Sequence, residues 1–186
     1  MTPKRTLRFL LAALAVAFFF SGAAAAQLPP EAVLLDKVKI PQKIQSDELC
    51  PISLQPADPN APTWSYEGVT YRGHDAATQA AFDKDPAKFA AAHKRELYVL
   101  NFMEAMSTIW CPITDEVTPG GRKQVDGLGY TWESCCSFCD EEMDPANFDE
   151  AFEQLRERAE LSYELTGGVY TEGASSPVEG AIDENV

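Results

Sequence analysis

Residues 111–139 read CPITDEVTPGGRKQVDGLGYTWESCCSFC, which places a Cys-Pro turn, a hairpin pattern and a cysteine-dense helix start in one short stretch. Its opening residues, Cys111-Pro112-Ile113-Thr114, occur earlier as Cys50-Pro51-Ile52-Ser53. Further along, Gly127 and Tyr130 are matched by Gly68 and Tyr71, and Asp144-Pro145-Ala146-Asn147-Phe148 by Asp85-Pro86-Ala87-Lys88-Phe89. The cysteines are offset by 61 positions and the matches from glycine to phenylalanine by 59, which places two extra residues in an early loop of the first copy. So many matches in one register predict two tandem modules of about 60 residues, at 46–106 and 107–168.

Each copy predicts the same α+β order: a Cys-Pro turn, a short hairpin whose second strand contains Gly-Val-Thr-Tyr or Gly-Leu-Gly-Tyr, a short helix and a longer one. Asp85-Pro86 and Asp144-Pro145 have the form of helix starts, because aspartate accepts free amide hydrogens and proline loses no hydrogen bond in the first turn. The first long helix is expected from Pro86 to about Ser107, with Phe89, Leu97, Leu100 and Met103 on its apolar face and His93 close to that stripe as a packing residue. In the second, Phe148, Phe152, Leu155, Ala159 and Tyr163 recur at helical spacing, and Gly167-Gly168 supplies the stop. This stripe reads as core.

Cys111, Cys135, Cys136 and Cys139 all fall in the second module, leaving Cys50 alone in the first. Cys135 and Cys139 are four apart, hence neighbours on a helical turn, and Cys136 with Cys139 is the alternative pair. Either pair can meet Cys111 if the hairpin folds back over the helix start, making a compact thiolate pocket of the treble-clef kind. In the 59 register Ala76, Ala77 and Ala80 replace the three helix cysteines, and His74 aligns with Glu133. The first module is therefore expected to lack a thiolate site.

These residues resemble the YHS or TRASH-type heavy-metal-binding family, a small treble-clef-like module. The resemblance rests on Cys-Pro-Ile-Thr at 111–114, Gly-x-x-Tyr at 127–130, the cluster from Cys135 to Cys139, and Asp144-Pro145-x-x-Phe148. It extends over both modules, but the metal motif of one cysteine, a spacer and Cys-x3-Cys is confined to the second, where the spacer is slightly long. It implies a metal site built from Cys111, Cys135, Cys139 and Cys136. Thr114 stands where a four-cysteine knuckle would carry its second thiol. Three thiolates suit copper(I), whereas zinc needs a further donor such as water, Asp140 or Cys50.

Composition limits the partners. With 15 basic and 29 acidic side chains the formal charge is -14, and no basic stripe is present, which argues against nucleic acid and against anionic membranes. Residues 1–26 combine Lys4, Arg5 and Arg8 with an apolar run from Phe9 to Phe20 and a small-residue stretch ending at Ala26, the pattern of an export signal. Twelve apolar residues rise about 18 Å as a helix, short of the roughly 30 Å hydrocarbon layer. A soluble secreted or periplasmic protein is expected, not inserted in a membrane after signal removal. Residues 27–45 read as an arm on the first module and 169–186 as an acidic disordered tail.

The expected function is the capture, buffering or delivery of a copper or zinc ion outside the cytoplasm, with a metal transporter or another protein as a possible partner. No enzyme motif is present, and the protein is expected to be non-catalytic. The alternatives are a disulfide-stabilised scaffold, pairing Cys111 with a helix cysteine or Cys50 with Cys136, and thiol-disulfide exchange through Cys136 and Cys139. Five cysteines cannot all pair within one chain. Trp110 and Trp132 flank the cysteines and are expected to pack the hairpin and shield the pocket from water.

Overall fold

The computed structural model describes residues 40–114, 116–117, 123–143, 148–170 and 172. The expected signal peptide, most of the arm, the Asp144-Pro145 helix start and nearly all of the acidic tail lie outside them.

The fold is α+β. A 3-10 turn, Ser46–Glu48, leads into the Cys50 turn, then the hairpin β1 (Thr63–Tyr66) and β2 (Val69–Arg72), the short helix α1 (Ala76–Phe82) and the long helix α2 (Pro86–Ser107). The second half follows with β3 (Trp110–Cys111), β4 (Glu116–Val117), the hairpin β5 (Lys123–Gly127) and β6 (Tyr130–Ser134), the short helix α3 (Ser137–Glu142) and the long helix α4 (Phe148–Thr166). The strands form separate two-stranded antiparallel pairs, β1 with β2, β3 with β4 and β5 with β6.

The ends of the long helices follow from their residues. Asp85 caps α2 by accepting from the Lys88 amide, and Pro86 takes the first turn, where its missing N–H costs nothing. Gly167 and Gly168, both at positive φ, stop α4 where the Gly167 amide donates to the Tyr163 carbonyl.

Helix α2 is more deeply embedded than its expected stripe. Leu97 and Met103 are buried, and so are Tyr98, Val99, Asn101, Phe102, Ala105 and Met106, whereas Phe89 and Leu100 are only partly so. The cause is that its C-terminal half is covered from several sides. Helix α4 packs along it, β6 also lies against it, and the chain at 43–44 crosses it where the Lys43 and Ile44 amides donate to the Asn101 side chain at 2.7 and 2.8 Å. The α4 stripe is buried at Phe148, Leu155 and Ala159 and partly buried at Phe152 and Tyr163. Tyr98 and Ser162 join the helices by a hydroxyl hydrogen bond of 2.8 Å, and Arg156 donates to both carboxylate oxygens of Glu96 at 3.0 and 2.7 Å.

The structure corrects the register between the two halves. Leu49 bridges Pro56 as Trp110 bridges Val117, an offset of 61. The hairpin turns are Glu67-Gly68 (φ 50° and 82°) and Leu128-Gly129 (φ 53° and 82°), again offset by 61. Both are turns in which two successive residues take positive φ, and glycine occupies the second place. The caps of the short helices, Asp75 and Cys136, keep the same offset. Gly68 therefore corresponds to Gly129, and Tyr71 to the equally buried Trp132. Gly127 ends β5 and Tyr130 begins β6, so Gly-Leu-Gly is not in the second strand. The 59 offset applies only from Asp85-Pro86 onward, and the two extra residues fall between the short and long helices.

Candidate metal centre

The centre is assembled by three local structures. Pairing of β3 with β4 holds Cys111 at the start of a tight turn. Strand β6 delivers Cys135 and Cys136 at its end, and Cys139 lies one turn into α3, whose amide at Asp140 donates to the Cys136 carbonyl. Behind them Trp110 and Trp132 are fully buried with ring centroids 6.2 Å apart, and Trp132 stacks on Phe148 and donates its indole N–H to the Gly127 carbonyl. The tryptophans expected to pack the hairpin do so.

The Sγ atoms of Cys111, Cys135 and Cys139 all lie within 4.8 Å of one another. Cys111 and Cys139 are fully buried and Cys135 is partly exposed. Metal–thiolate bonds of about 2.3 Å put ligating sulfurs roughly 4 Å apart, so the separations fit a soft ion with little movement. Cys136, the fourth expected ligand, is not in this close set; it reaches Cys139, with Sγ–Sγ 3.5 Å, the separation that Cys135 also has from Cys139. All five cysteines are free thiols.

Thr114, noted from sequence only as a missing ligand, has a definite role. Its hydroxyl lies 3.2 Å from the Cys135 sulfur and also hydrogen-bonds Cys111. Burial pushes the Cys111 thiol up, but hydrogen bonds from the Thr114 hydroxyl and from the Thr114, Cys135 and Ile113 backbone outweigh it and bring it down to about 7. Cys139 moves the other way: burial raises it, and its crowded neighbours Cys136, Cys135 and Cys111 add to the effect. A second negative charge is unfavourable in so small a buried space, which is the condition a bound cation relieves.

Asp140, a candidate further donor, is engaged elsewhere: it accepts a hydrogen bond from the Ser134 hydroxyl, while the Lys123 amide donates to that same hydroxyl at 3.2 Å. It is not part of the three-sulfur group. A cavity of about 290 Å³ lies beside the Cys111 turn, lined by Pro112, Ile113, Met143 and Phe148 among others, and no cysteine lines it.

The corrected register changes what the first half offers. Cys50 corresponds to Cys111, Ser53 to Thr114, His74 to Cys135, Asp75 to Cys136 and Thr78 to Cys139, so the alanines at 76, 77 and 80 are not the replacements. Ser53 Oγ lies 2.9 Å from His74 Nε2, the counterpart of the Thr114–Cys135 contact. Asp75 caps α1 by accepting from the Thr78 amide. His93 is a packing residue: it is buried and its Nε2 lies 3.0 and 3.1 Å from the Ser46 and Leu49 carbonyls, which makes it the donor. Burial holds His93 below the usual imidazole range against those two bonds.

Among the described residues no helix is long and apolar enough to cross a membrane. No protein-family model matches the chain, and no match was found among curated proteins or among solved structures. What can be said of function therefore rests on the centre itself, three convergent soft donors in a mixed α+β fold.

Proposed function

We propose that the protein is an exported, non-catalytic metal-binding protein of the YHS or TRASH type, which captures and passes on copper(I) or zinc through Cys111, Cys135 and Cys139. The observation that carries this reading is the convergence of three sulfurs within 4.8 Å from separate elements. Two of the three are buried, so they are held by the fold. Thiolate-only donors select soft ions, and three of them satisfy copper(I) outright, whereas zinc would take one further ligand. Export is supported by the pattern of residues 1–26, and the acidic surface favours cations in general. A metal transporter or another metal-handling protein is the natural partner.

The test is elemental analysis after anaerobic purification, with Cys111→Ser/Cys139→Ser beside the parent. The expected outcome is about one metal per parent chain and a loss of most of it in the variant, because the two remaining clustered thiolates, Cys135 and Cys136, bind a soft ion poorly on their own. Equal metal content in the two proteins would overturn the reading.

A further inference from the structure

We propose that Cys136 is the transfer thiol of this centre, the group through which the ion enters and leaves, an inference that rests on the metal-binding reading above. Of the four clustered cysteines it alone stands outside the mutual contact distance of the other three. Yet its Sγ is 3.5 Å from Cys139, as close as Cys135 of the set. It is also partly exposed, whereas Cys139 is fully buried. A buried thiolate cannot meet an acceptor directly; exchanging Cys139 for Cys136 puts a second partly exposed sulfur beside Cys135, so that an acceptor can engage the ion from the surface. Phe138, its near neighbour on α3, is 64 % exposed, so the surface around the relay is open.

The step is a ligand exchange that conserves charge and electrons. As the bond from the ion to Cys136 Sγ forms, the bond to Cys139 Sγ breaks, and the proton leaving the Cys136 thiol is taken up by Cys139. The ion is then held by Cys111, Cys135 and Cys136, with two partly exposed sulfurs in place of one, where a thiolate or thioether of the acceptor displaces the protein's ligands in turn. No oxidant or reductant is involved. Cys136 thus sets the rate of exchange and contributes little to the resting affinity.

The experiment uses copper(I) loaded anaerobically into the full chain and a chromogenic copper(I) chelator as acceptor, with affinity measured by equilibrium competition and transfer by stopped flow. For Cys136→Ser the expected result is unchanged stoichiometry, affinity within about threefold of the parent and transfer slowed at least about tenfold. Cys136→Met, which keeps a soft sulfur at the same place, should recover part of the rate. Transfer at the parental rate in Cys136→Ser would overturn the proposal, and so would a loss of affinity as large as the loss of rate, which would make Cys136 a resident ligand. Cys111→Ser/Cys139→Ser run in parallel separates the two ideas, because it leaves only Cys135 and Cys136 of the cluster: copper retained there defeats the metal-site reading itself, whereas copper lost there with transfer unaffected by Cys136 defeats only the relay.

Discussion

Thr114 shows how a residue outside the cysteine set can govern the ionisation of its sulfurs. Its hydroxyl reaches two sulfurs, and with neighbouring amides it brings the Cys111 thiol down to about 7 in spite of burial. Above that value Cys111 is already a thiolate and needs no deprotonation to bind; as the pH falls through it, a proton competes for the sulfur and apparent metal affinity weakens. Thr114→Val removes the hydroxyl at nearly constant volume. Ultraviolet titration of thiolate absorbance in the metal-free variant should show the first thiol moving up from about 7 toward the ordinary range near 8.5. An unmoved first step would contradict the assigned role. The glycines mark the limit of what identity matching reveals at this scale. Gly68 and Gly129 are glycine because their turns need positive φ. Gly127 is glycine because the Phe148 ring approaches it so closely that an added Cβ would stand 2.1 Å from a ring carbon. Matching Gly68 to Gly127 equated two different physical demands and moved His74 away from its true counterpart, Cys135.

At the scale of elements, the order of turn, hairpin, short helix and long helix was legible because its signals are local: Asp-Pro at the start of α2, Gly-Gly after α4, and a 3.6-residue apolar period between. The clustering of cysteines was legible from their spacing, but not its cause: Cys135 is not on a shared helical turn as expected but precedes α3 at the end of β6, and it meets Cys139 across the extended Cys136 cap. What was not legible was the crowding around α2, which depends on contacts remote in sequence: with α4, with β6 and with the segment at 43–44. Leu155 is fully buried on the face of α4 that closes this core. Leu155→Ala should cost roughly 2–5 kcal/mol in urea unfolding, a cavity penalty added to the lost transfer energy. A loss below about 1 kcal/mol would mean that the α2–α4 interface is not the joint holding the halves together. The bidentate, largely shielded Arg156–Glu96 pair beside it should contribute on the order of 1 kcal/mol, more than a fully exposed pair would.

Across the whole molecule, one net charge and one asymmetry belong together. The chain carries -14 overall, and -17 without its first 26 residues, which leaves 12 basic and 29 acidic groups. Such a field repels polyanions and raises the local concentration of cations. It selects no metal; selection falls to the sulfurs. Both halves run in the same order of elements and both carry a cysteine at the first turn, Cys50 and Cys111, but the first has imidazole, carboxylate and hydroxyl side chains at His74, Asp75 and Thr78 where the second has its other three thiols. The central claim is thus that an all-sulfur donor set, formed by Cys111, Cys135 and Cys139, holds the ion. X-ray absorption on the anaerobically copper(I)-loaded protein tests it most directly. The account predicts about one ion per chain in a shell of sulfurs, on the order of 2.3 Å away. A shell dominated by nitrogen or oxygen, or one that Cys111→Ser/Cys139→Ser leaves unchanged, would contradict it.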